Sequence, residues 1–173
     1  MSICTIDPLE HTLTLGMLNA IDNVTCPTIV KVGDWSLPLS PIPTEDRARP
    51  IASLGGWLQL GEGLVIPDGA KLQCGNYFPP GGGMDWHTDS GQPGWRLYVF
   101  NNTTTADSGK HSHFRYRGLD ISEGDIGAYV FETGVGCWHA IESRCHRMSC
   151  GLQIPKSLAD DLCNRTILEI GVK

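Results

Sequence analysis

The chain of 173 residues, 40% hydrophobic and 18% charged, has the length of one domain that buries its own core without staples. A formal net charge of −6 argues against a protein whose affinity comes from neutralising phosphates, and no apolar run reaches the length of a bilayer span. The 21 glycines and 11 prolines are enough to punctuate many short strands, so residues 1–173 read as a single, mostly β domain.

In chain order, Met1 to Asp7 lacks a basic region followed by an apolar core, so no signal peptide is expected. A helix is predicted from about Pro8 to Ile21, with Leu9, Leu13, Leu15, Met17, Leu18 and Ile21 forming the stripe that packs on a sheet. Thr28 to Val32 is a strand by its β-branched content, and the Pro-rich stretch from Leu37 to Pro50 is a loop. Residues 33–50 are either a cover for a binding site or a surface connection. Residues 1–70 thus form a helix-and-loop extension ahead of the core.

From Lys71 the pattern changes to short segments between turn residues. These are Lys71 to Phe78, Met84 to Asp89, Trp95 to Phe100, His113 to Arg117, Ile126 to Glu132, Cys137 to Glu142 and Arg147 to Ile154. Such spacing predicts a sandwich or barrel over residues 71–154, followed by a C-terminal segment, 155–173.

Seven cysteines (Cys4, Cys26, Cys74, Cys137, Cys145, Cys150 and Cys163) are an odd number without a C-x-x-C pair, which predicts free thiols and a cytoplasmic protein. A basic strip of Lys110, Arg115 and Arg117 is more readily a solvated strand face than a nucleic-acid contact.

The chemistry concentrates in Met84-Asp85-Trp86-His87-Thr88-Asp89 and, later, Trp138-His139-Ala140 followed by Arg147-Met148-Ser149. On a strand, His87 and Asp89 share a face, so one imidazole and one carboxylate can hold one ion. With His139 as the second imidazole, the set is two histidines and a carboxylate, which occupies one face of an octahedral iron(II) ion. Arg147 and Ser149 also share a face, and a buried guanidinium needs an anion, which a bound dicarboxylate would provide. Trp86, Trp95 and Trp138 should face away from the ligands, His146 should lie outside the barrel, and Asp85 should be a rim residue. Arg96 reads as a substrate anchor or as an ion-paired barrel residue.

The order His-x-Asp, distal His, Arg-x-Ser resembles that of the iron(II)- and 2-oxoglutarate-dependent oxygenases, over about Lys71 to Ile154. The resemblance implies a double-stranded β-helix (jelly roll) with the N-terminal helix packed on one sheet. It makes His87, Asp89 and His139 the ligands of catalytic iron(II). It also gives Arg147, helped by Ser149, the distal carboxylate of the co-substrate 2-oxoglutarate, with ascorbate as reductant. Asn76-Tyr77-Phe78-Pro79-Pro80-Gly81 is similar to the Asn-x-Tyr-x-Pro-Gly run of the nucleic-acid-dealkylating branch, whose asparagine and tyrosine contact the co-substrate. Asn76 carries over, Phe78 has no hydroxyl, and Tyr98 is the candidate to supply one. Gly94 to Tyr98 with His113 to Tyr116 is similar to small phage-type and bacterial members. The implied reaction is hydroxylation or demethylation of a small molecule, peptide or nucleotide, with release of succinate and CO2. Two other readings are a base-modifying oxygenase and a non-enzymatic cupin-like barrel binding metal through His87, His111 and His113.

Overall fold

The computed structural model describes residues 3–22, 28–30, 52–57, 60, 64–103 and 112–170. The expected cover at 33–50, most of the 101–110 loop, Lys110 and His111 lie outside the described residues.

Two elements open the chain, β1 (Ile3–Ile6) and α1 (Thr12–Asp22). The helix starts four residues later than the apolar stripe predicts, because Asp7 closes a turn: its carboxylate accepts from Leu9 N at 2.9 Å and its carbonyl from Glu10 N at 3.3 Å. Thr14, Met17, Leu18 and Ile21 are the buried stripe, spaced three and four apart, whereas Leu9 and Leu15 face outward.

The strands that follow are β2 (Thr28–Val30), β3 (Ala52–Trp57), β4 (Lys71–Phe78), β5 (Gly83–His87), β6 (Gly94–Thr103), β7 (His113–Tyr116), β8 (Leu119–Ser122), β9 (Ile126–Thr133), β10 (His139–Glu142) and β11 (His146–Ile154). Helix α2 (Lys156–Ile170) closes the chain, in the segment for which the sequence suggested no element. All pairings are antiparallel. One sheet runs β1-β9-β6-β11-β4, and the other runs β5-β10-β7-β8. Strand β3 joins them, pairing through Gly56 and Trp57 with β4 and through Ala52 and Leu54 with β5. From β4 to β11 the chain changes sheet at nearly every step, which makes this a jelly roll of the double-stranded β-helix kind. Residues 1–70 contribute three strands to it: β2 starts at Thr28, where a strand was expected, whereas β1 and β3 lie in what was expected to be helix-and-loop extension.

The alternation of side chains divides the first sheet between two cores. Leu97 and Val99 of β6, Val130 of β9 and Leu152 of β11 face Met17, Leu18 and Ile21 of α1 and Ala159 and Leu162 of α2. Their neighbours Phe100, Tyr129 and Phe131 point the other way and meet Phe114, Tyr116 and Ile141 of the second sheet. Both faces are thus dry, and the inner layer is largely aromatic. It is packed tightly enough that a Cβ at Gly151 would lie 2.7 Å from the Tyr98 ring.

The free-thiol expectation fails for one pair: Cys4 of β1 is disulfide-bonded to Cys163 of α2. The two are 159 residues apart, and only the docking of α2 beside β1 makes them neighbours, so spacing gave no sign of it. Cys137, Cys145 and Cys150 are free and buried. The disulfide removes the premise for a reducing compartment. Among the described residues no helix is long and apolar enough to cross a membrane.

Candidate metal centre

His87 and His139 face each other across two paired strands. His87 is the last residue of β5 and His139 the first of β10; they are direct partners in the ladder, with ring centroids 4.0 Å apart. Asp89 arrives differently from the expected shared strand face. The strand ends at His87, and Asp89 sits in the following loop with φ at 52°, a left-handed conformation that aspartate tolerates better than most residues. The loop is fixed by Gln92 N donating to Asp89 O at 2.9 Å and by Gly134 N donating to Thr88 O at 3.1 Å. A turn rather than the pleat brings the carboxylate back beside the imidazoles.

One ligand atom from each of the three lies within 4.8 Å of the other two, the only such group among the described residues. The Nδ1 atom of His87 meets Asp85 O at 2.8 Å and that of His139 meets Cys137 O at 2.9 Å. A carbonyl oxygen only accepts, so both Nδ1 atoms donate, and the lone pairs are left on Nε2. Those Nε2 atoms stand 3.9 Å (His87) and 3.5 Å (His139) from the Asp89 carboxylate oxygens. Ring orientation set by backbone acceptors is the outer-shell arrangement of metal-bound histidine, and no residue type in the sequence signals it.

The electrostatics agree. Burial, followed by the nearby His139, lowers the His87 pKa to about 3, so the ring is neutral and basic at Nε2. Burial alone would raise the pKa of Asp89, yet the hydrogen-bonding approach of His139, with His87 and Arg96 nearby, holds the carboxyl below its usual value. Two imidazoles and one carboxylate converging in this way fit a divalent ion bound on one face. Phe131 and Phe114 wall the site, their ring centroids 5.4 and 6.2 Å from that of His139.

Arg147 is inside the barrel, as expected, but not in want of a ligand. Its Nε and Nη2 donate to the two carboxylate oxygens of Glu123 at 2.9 and 2.8 Å, and its Nη1 donates to Ser149 Oγ at 3.0 Å. Both charged side chains are buried, and Asn102 Nδ2 supports the same Glu123 oxygen that Nε holds, at 3.2 Å. The anion that burial demands is therefore supplied by the chain itself. Glu123 lies 24 residues before Arg147, in the turn between β8 and β9, where nothing in the sequence singles it out. Asn76 and Phe78 occupy the neighbouring positions of β4, directly opposite Ser149 and Arg147. Tyr98 points into the barrel and stacks on Phe131 at 5.4 Å.

The remaining candidates fall outside the centre. His113 Nδ1 is bonded to Asp120 at 2.8 Å, three residues along β7 from the partner of His139, so it forms no second imidazole pair with His87. Arg115 is ion-paired to Asp120 at 3.3 Å and to Glu142 at 2.9 Å, so this member of the basic strip is matched within the protein. His146 bonds Tyr77 Oη at 2.6 Å on the helix side of the sheet, and Trp95 packs into the helix-side core, both as alternation predicts.

No protein-family model matches this sequence, and no curated protein does. Among solved structures the fold is similar to "prolyl hydroxylase in complex with hypoxia inducible factor oxygen degradation domain peptide fragment from Trichoplax adhaerens", at 13% identity and a TM-score of 0.49, covering 93% of this chain and 86% of that one. A likeness this loose leaves the chemistry to the residues themselves.

Proposed function

We propose that this chain is an iron(II)- and 2-oxoglutarate-dependent dioxygenase that hydroxylates or demethylates a substrate brought to the mouth of the barrel. The observation that carries the reading is the convergence of His87, Asp89 and His139, with both Nδ1 atoms spent on backbone carbonyls and both Nε2 atoms turned to one carboxylate. His87, Asp89 and His139 would hold iron(II), which would let dioxygen oxidise both 2-oxoglutarate, to succinate and CO2, and the second substrate. The protein's own share is positional. Asp85 and Cys137 hold the rings, Asp89 supplies the negative charge that offsets a divalent ion, and Phe114 and Phe131 keep water from the far wall.

The test is succinate formation by the purified protein with iron(II), ascorbate, 2-oxoglutarate and dioxygen. Turnover that needs all of these and is lost in His139→Ala supports the reading. A protein that binds zinc(II) in place of iron(II) and forms no succinate overturns it.

A further inference from the structure

The metal centre leaves one charged side chain of the barrel interior near it without a role. Arg96 is only 1% exposed, on a strand position whose neighbour Leu97 faces the helices, so its own side chain enters the barrel. Directly opposite it on β9 is Phe131, the residue whose ring meets His139 edge-on. Arg96 Nη2 donates to Gln92 O at 2.8 Å, and Gln92 is the residue whose amide closes the turn that presents Asp89. The guanidinium is thus tied to the loop that carries the metal carboxylate. Its Nη1 is buried and meets no acceptor. A buried, unspent donor on a cation is costly, and the cost is recovered when a ligand supplies the acceptor.

Arg147 provides the contrast, since its Nε, Nη1 and Nη2 are all engaged within the protein. An incoming carboxylate would have to displace Glu123 from a buried two-point ion pair, whereas at Arg96 it meets a donor that is already waiting. We propose that Arg96 is the carboxylate anchor of the metal cavity: Nη1 donates to the far carboxylate of a 2-oxo diacid whose 2-oxo acid end lies at His87, Asp89 and His139. Arg147 is then a structural ion pair. The assignment rests on the metal-centre reading above.

The experiment loads the full-length protein with manganese(II), confirms binding by water-proton relaxation, and titrates 2-oxoglutarate and pyruvate calorimetrically in the absence of dioxygen. Pyruvate keeps the 2-oxo acid and lacks the far carboxylate. The wild type should bind 2-oxoglutarate at least about tenfold more tightly than pyruvate, and Arg96→Met should lower 2-oxoglutarate affinity about 10- to 100-fold while leaving pyruvate within about twofold. Arg96→Lys, which keeps the charge and loses the fork, should fall between them and guards against a Met variant that does not fold. Unchanged 2-oxoglutarate affinity in both Arg96 variants, with tighter binding in Glu123→Gln, would make Arg147 the anchor and overturn the assignment. Equal affinity of the wild type for the two acids would overturn it as well. Failure of the wild type to bind manganese(II) would strike instead at the metal centre, and is read before any acid is added.

Discussion

Among the described residues two arginines are the bulkiest of the fully buried side chains, and they stand at opposite ends of one barrel. The partner of Arg147 on β6 is Asn102, six residues beyond Arg96, or about 20 Å of strand at ~3.3 Å per residue. At the end near β8, a guanidinium is met on every side by Glu123 and Ser149. At the end near the histidines, one is held by a single carbonyl and keeps a nitrogen unspent. Burial of a cation does not by itself mark a binding site. The partner count does: a matched charge belongs to the fold, and an unmatched one beside three metal donors belongs to the chemistry.

The largest effect is expected at the metal donors. His87→Ala or His139→Ala should abolish metal binding, measured by equilibrium dialysis, while the folded apoprotein keeps its urea midpoint, because each substitution removes a buried polar ring that the metal-free state does not need. At the closed end the effect should be reversed. Glu123→Ala strands the Arg147 charge in a dry interior and should cost about 3–5 kcal/mol in urea unfolding, with metal binding retained in whatever remains folded. Equal stability loss at both ends would erase the distinction.

The sequence made one end far more legible than the other. Histidine spacing, and its order relative to a later arginine, pointed to His87, Asp89 and His139, because coordination needs those residue types and few others. The route to Asp89 was not legible: alternation along a strand was expected to bring it beside His87, and a left-handed turn does so instead. Glu123 was invisible because ion pairing between a turn and a strand leaves no periodic trace. The inner and outer faces of β6 and β11 followed from alternation, as Trp95 and His146 show. Strand β3 did not, since Ala-Ser-Leu-Gly-Gly-Trp has little β-branched content and owes its place to neighbours on both sides.

A smaller effect tests the wall between the two ends. Gly151→Ala puts a methyl group against the Tyr98 ring and should cost about 1–3 kcal/mol through overpacking, read as a lower melting temperature. The smallest effect lies on the outside of the second sheet. Burial opposes ionisation of Glu142, but hydrogen bonds from Arg144 and Arg115 outweigh it and hold the carboxyl below its usual 4.5. Its stabilisation is therefore complete above about pH 4.5 and is lost as the pH falls through the lower folded value. Glu142→Gln should flatten the acid limb of the stability curve and leave metal affinity unchanged.

The covalent tie between Cys4 and Cys163 encloses nearly the whole polypeptide in a ring. A protease that cuts once anywhere inside that ring produces two pieces that still migrate together on a non-reducing gel and separate only after a thiol is added. Tolerance of such a nick, read as retained metal uptake, would show that the barrel is held shut by its two ends as much as by the continuity of its backbone.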